Sequence, residues 1–160
     1  MADSMLILKP ASGGPPIVCC VELVARGVVQ GVSPGDPCAH VQLTATPASV
    51  RQARAFLAEH AGDLDDDSSN AAAICASELV TNSVLHARTP IVFGVTRGSD
   101  RLLVTVADGS VDVPQPAPPD DERPSGRGLV LVAALAQEWG VQDEEDGKTV
   151  WFTVPRVMSE

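Results

Sequence analysis

A four-residue connection constrains this chain more than any other feature of its sequence. The apolar runs Ile91 to Thr96 and Leu102 to Ala107 are separated only by Arg97-Gly98-Ser99-Asp100. So short a link turns the chain back beside itself, because parallel neighbours need a crossover of about a dozen residues or more. The two runs are therefore expected as antiparallel partners. The same pattern closes the chain, where Trp139 to Gln142 and Thr149 to Val154 flank the acidic turn Asp143-Glu144-Glu145-Asp146-Gly147. Two antiparallel hairpins are thus expected, with helical sequence before and between them.

The helical segments follow from apolar spacing. After a half-buried strand pattern over His40 to Ala45, Thr46 is a candidate N-cap and Pro47 a first helical residue. Val50, Ala53, Phe56 and Leu57 then recur at helical intervals until Gly62. Asp63 to Asn70 reads as a connection with a cap, and its acids as a solvated face. A second helix is expected over Ala71 to Ala87, stopped by Pro90, and a third over Leu129 to Gln137, entered through Gly126-Arg127-Gly128. Between Asp108 and Ser125 lie five prolines and little apolar material, so a loop is expected there. Residues 1–39 form an N-terminal extension whose Ile17 to Val29 run is a candidate extra strand. Residues 40–154 form one domain and 155–160 a tail.

Charge narrows the function classes. The 160 residues carry 21 Asp and Glu against 11 Lys and Arg, a net charge of -10. Such a chain repels phosphate backbones and anionic membrane surfaces, which argues against nucleic-acid binding. No apolar run approaches the roughly 18 residues of a membrane span, so a cytoplasmic protein is expected. Cys19, Cys20, Cys38 and Cys75 contain no Cys-x-x-Cys pair and read as reduced thiols, and Cys38 with His40 lacks the paired spacing of a structural zinc site.

Three stretches carry candidate chemistry. Glu78 and Asn82 stand four residues apart on the second helix, which puts a carboxylate and a carboxamide on one face. An amide oxygen there suits a hydrated magnesium ion and the carboxylate a proton acceptor, although the residues alone equally describe a solvated polar pair. Asp108 ends a strand ahead of Gly109, where a carboxylate can accept from the exocyclic amine of adenine and reject guanine, or merely open a turn. Gly126, Arg127 and Gly128 precede an apolar helix, where bare backbone amides and the helix dipole suit phosphate oxygens, or merely loosen a helix entrance. Neither the P-loop nor the Rossmann glycine pattern is present. His86 reads as a capping or core histidine, and Trp139, Trp151 and Phe152 as core.

Taken in order, Glu78-Leu79-Val80-Thr81-Asn82-Ser83-Val84-Leu85-His86-Ala87, Val106-Ala107-Asp108-Gly109-Ser110, Gly126-Arg127-Gly128-Leu129 and Gly147-Lys148-Thr149-Val150-Trp151-Phe152 resemble the GHKL (Bergerat-fold) ATPase superfamily. More narrowly, they resemble the small stand-alone ATP-binding proteins grouped with bacterial anti-sigma-factor serine kinases. The similarity spans about residues 40–154 and includes Arg54 on the first helix.

The resemblance implies a two-layer α/β (α+β) sandwich with a mixed, mainly antiparallel sheet and helices on one face. ATP would lie under a lid of residues 109–125 with Mg²⁺ on its phosphates. By position, Glu78 resembles the family's catalytic or water-orienting acid, Asn82 its magnesium ligand and Asp108 its adenine-reading acid, followed by Gly109. Gly126, Arg127, Gly128 and Leu129 resemble its phosphate-binding box, and Thr149 a late hydroxyl that helps seat adenine. Asp108 is followed by Gly109, Ser110, Val111 and Asp112, which departs from the glycine pattern of the family's first box.

The function this implies is an ATP- and Mg²⁺-binding regulator that phosphorylates a serine or threonine of an antagonist protein, with a sigma factor as a further partner and a homodimer as the family's arrangement. The alternative is a non-catalytic interaction module of the same fold. The ATP-binding part of a histidine kinase is a weaker reading, since residues 1–39 leave little room for a dimerisation and phosphoacceptor region.

Overall fold

Alternation along the strands decides which side chains meet the helices. In a computed structural model, which describes residues 23, 27–33, 35–110, 124–144 and 147–156, five strands form one sheet. They are β1 (Cys38–Leu43), β2 (Ile91–Arg97), β3 (Arg101–Asp108), β4 (Glu138–Glu144) and β5 (Gly147–Pro155), in spatial order β1-β2-β3-β5-β4. Every pairing is antiparallel, so the sheet expected to be mainly antiparallel is antiparallel at each described junction. Both hairpins fall where their turns predict, with the Gly98 amide donating to the Arg101 carbonyl at 2.8 Å.

Three helices cover one face: α1 (Ala48–His60), α2 (Asp66–Asn82) and α3 (Pro124–Leu135), with α2 packed between the other two. Phe93, Val95, Leu102, Val104, Val106, Val150, Phe152 and Val154 point into this layer and meet Ala53, Leu57, Ala76, Leu79, Leu129 and Val132. The intervening residues Leu103 and Trp151 face the other way. There they form a second cluster with Leu23, Val29 and Val32, so the N-terminal extension covers part of the opposite face. The described part of the strand-like run 17–29 is not strand: Leu23 is helical and residues 27–29 are turn and bend.

The helix ends differ from expectation for local reasons. Thr46 makes no side-chain cap; Pro47 already has helical dihedrals and takes the N-cap place, while Ser49 Oγ donates to the Thr44 carbonyl. At the far end Gly62 has φ +74, the left-handed conformation that suits a residue just past a helix. Helix α2 begins at Asp66 rather than Ala71, because the Asp65 carboxylate accepts from the Ser68 amide at 2.7 Å and Asp66 and Asp67 sit in the first turn, where the dipole favours negative charge. Past Asn82 the helix widens into a π-turn, Ser83–Ala87, closed by the left-handed Arg88 at φ 55. His86 is exposed on this turn, not a core histidine.

Helix α3 starts at Pro124 and ends at Leu135, so Gly126, Arg127 and Gly128 lie inside its first turns rather than ahead of it. Most of the expected loop, residues 111–123, lies outside the described residues. Cys38 is disulfide-bonded, its partner outside the described residues, which corrects the expectation of four reduced thiols; Cys75 is a free, buried cysteine. Among the described residues no helix is long and apolar enough to cross a membrane.

Candidate functional site

The chemistry gathers where β3 ends. Asp108 is 1% exposed, and a carboxylate so enclosed needs charge-assisted partners. Its Oδ1 accepts from Lys148 Nζ at 2.8 Å and from the Ser110 amide at 2.9 Å. Its Oδ2 accepts from Ser83 Oγ at 2.6 Å and from Lys148 Nζ at 3.0 Å. Lys148 is itself buried, opposite Asp108 in the β3–β5 register. Backbone approach fixes that register, because a Cβ at Gly147 would stand 2.1 Å from the Asp108 carbonyl oxygen. The next residue, Gly109, donates its amide to Thr89 Oγ1 at 2.7 Å, tying the strand end to the segment after the π-turn.

Ser83 is the link between layers. The π-turn begins with this residue, and its buried hydroxyl fastens the end of α2 to Asp108. Extra backbone per turn re-aims side chains, and such π-insertions recur at functional sites. Asn82 directly precedes Ser83, and Glu78 lies one turn earlier; both are half-buried. The Glu78 charge is felt at Cys75, whose thiol is pushed up to about 11 mainly by burial, with Glu78 adding to it. The structure thus brings Glu78, Asn82 and Asp108 to one end of α2. Helix α3, which carries Gly126, Arg127, Gly128 and Leu129, packs along α2, and the Leu129 side chain belongs to the core at 1% exposure.

Thr149 is not brought to the site. It lies between Lys148, which reaches Asp108 on the helix-facing side, and Val150, which packs in the helix-facing core. By strand alternation its side chain therefore faces the opposite side with Trp151. Its Oγ1 is buried with no hydrogen-bond partner among the described residues. Sequence reasoning missed Lys148, Ser83 and Thr89. Ser83 had a signal, since it is the polar residue immediately after Asn82; Lys148 had one only once Asp108 is known to pair with it across two strands.

As a magnesium site the arrangement supplies oxygen donors but no cage. Glu78 and Asn82 offer a carboxylate and a carboxamide at i and i+4, whereas no group of three or more His, Cys, Asp or Glu among the described residues could hold a metal. This donor set fits a hard cation that keeps water and anionic ligand oxygens as its remaining partners.

Comparison with known proteins agrees with this fold. The crystal structure of the RsbU and RsbW domains of Rv1364c from Mycobacterium tuberculosis superposes with a TM-score of 0.58 at 23% identity, covering 76% of this chain and 34% of that one. The chain thus spans about a third of that protein's length, and the likeness is one of fold. No curated protein sequence matches significantly. The family model for the histidine kinase-like ATPase domain matches residues 43–154, which include Glu78, Asn82, Asp108 and the glycines of α3, and the chain belongs to that family.

Proposed function

We propose that the protein is an ATP- and Mg²⁺-binding regulator of the anti-sigma kinase type, which transfers the γ-phosphoryl group to a serine or threonine of an antagonist protein. The carrying observation is the buried Asp108, fastened by Ser83 to the end of the helix that bears Glu78 and Asn82. Asp108 would read the adenine edge and Asn82 would hold the cation that neutralises phosphate charge. The first turns of α3 would meet phosphate oxygens through the amides of Gly126, Arg127, Gly128 and Leu129. Glu78 would accept the proton of the acceptor hydroxyl as its oxygen bonds to phosphorus and ADP departs. Thr149, turned to the other face, has no part in this reading.

The fold likeness to a structure containing RsbU and RsbW domains supports partners of the sigma-factor and antagonist kind. The cytoplasm is where such partners and ATP meet. Cys38 lies on β1, two strands from β3 in the sheet order, so reduction of its disulfide there leaves the Asp108 contacts in place.

Calorimetric titration with ATP and Mg²⁺ tests the binding. Saturable heat is expected, and none at high micromolar nucleotide refutes it. Label transfer from ATP to a candidate antagonist, lost in Glu78→Ala, tests the kinase step. The Lys148 contact with Asp108 favours a second reading, an interaction module without turnover; ATP binding with no transfer to any antagonist would establish it.

A further inference from the structure

An ionised carboxylate offers about four lone-pair positions, two on each oxygen. At Asp108 all of them are engaged: Lys148 Nζ and the Ser110 amide on Oδ1, Ser83 Oγ and Lys148 Nζ again on Oδ2. The exocyclic amine of adenine needs one of those positions. Two of the four contacts come from neutral groups, the Ser110 amide and the Ser83 hydroxyl; the other two both come from the ammonium of Lys148. Lys148 cannot drift away by a slip of its strand, since Gly147 already touches the Asp108 backbone and the register pairs the two residues directly. Nor does the adjacent hydroxyl substitute for it, since Thr149 belongs to the other face of the sheet.

We propose that Lys148 sets the base selectivity of this site, weakening the preference for adenine over guanine. The inference rests on the nucleotide-binding reading above and adds which base edge the site tolerates. An ammonium carries three N–H groups, and Asp108 engages at most two of them. The third is a donor, complementary to the 6-oxo group of guanine and opposed to the 6-amino group of adenine. To be read by Asp108, adenine must displace one Lys148 contact, whereas a 6-oxopurine meets Lys148 with the ion pair intact. Without Lys148, Asp108 regains free acceptor positions and the ordinary adenine preference of a lone carboxylate.

The test is direct binding of ATP and of GTP, each with Mg²⁺, to the wild-type chain and to Lys148→Thr, by calorimetry or competition against a fluorescent nucleotide. Wild-type affinities for the two nucleotides are expected within about tenfold of each other, the scale of one charge-assisted hydrogen bond. Lys148→Thr is expected to raise the ATP-to-GTP ratio by about tenfold, mainly by tightening ATP. A larger wild-type preference for ATP, or a ratio unchanged in the variant, overturns the proposal while leaving nucleotide binding standing. Binding of neither nucleotide to the wild type overturns the nucleotide-binding reading and this inference with it. The wild-type ratio decides the matter even where the variant folds poorly.

Discussion

Replacing Lys148 by Met should destabilise the fold far more than replacing Lys148 and Asp108 together. At 2.8 Å the two charges attract by about 6 kcal/mol at an effective dielectric constant near 20. Desolvating each ion opposes this by several kcal/mol, so the pair contributes little net stability compared with a neutral pair of similar shape. Breaking it from one side is different, because an uncompensated charge stays behind in a site where Asp108 is 1% exposed. Such losses run to about 3–5 kcal/mol.

The two single variants need not be equal. Without Lys148, Asp108 keeps the Ser83 hydroxyl and the Ser110 amide, which places Lys148→Met at the low end, about 3 kcal/mol. In Asp108→Asn the ammonium keeps at most one carboxamide oxygen as acceptor and has no countercharge, which places that variant nearer about 5 kcal/mol. The double variant should lie within about 1–2 kcal/mol of wild type, a coupling of roughly 6 kcal/mol. Urea denaturation followed by far-UV circular dichroism measures all four proteins. In thermal melts Lys148→Met should lower Tm by about 6–12 °C for a chain of this length. A Lys148→Met loss below about 1 kcal/mol, or additive losses in the double variant, would show that the pair is not the closed contact described.

Ser83→Ala removes one hydrogen bond to a buried carboxylate and should lower stability by about 1.5–2 kcal/mol; a loss under about 0.5 in the same urea titration would detach the π-turn from the site. Asn82→Ala should abolish the Mg²⁺ dependence of ATP binding while sparing the fold, and unchanged affinity in calorimetry removes Asn82 from that role. Cys75, with its thiol pushed up to about 11, should resist alkylation at pH 8 in the native protein and react only on unfolding, as peptide mass mapping would reveal. Burial lowers the His40 pKa below 6.5, so the unfolded chain takes up a proton that the folded chain refuses. Stability is then full above about pH 6.5 and declines as pH falls below it; His40→Gln should flatten that decline, and identical slopes would refute the assignment.

What the sequence discloses here depends on how far apart the interacting residues lie. The hairpins and the first helix are written in short-range patterns: a glycine turn between apolar runs, and Val50, Ala53, Phe56 and Leu57 at helical spacing ahead of Gly62. Where a residue type serves two structures, local reading chooses badly. The acids Asp65, Asp66 and Asp67 look like a solvated connection, yet one of them caps α2 and the others complement its dipole, so the helix begins among them. Pro124 acts in the same way on α3, starting the helix before the glycines that were expected to precede it.

The site shows the limit most sharply. Glu78, Asn82 and Asp108 stand out as candidates because each is a polar residue at a definite place in its own element. Choosing between Lys148 and Thr149 requires knowing which of two neighbours points toward Asp108, and a strand shifted by one residue exchanges its faces. That parity is fixed by Gly147 passing close against the Asp108 backbone, a contact between residues far apart in the chain. A family hydroxyl carried over to Thr149 by sequence order alone therefore falls on the wrong side of the sheet. The place facing Asp108 belongs to a cation instead.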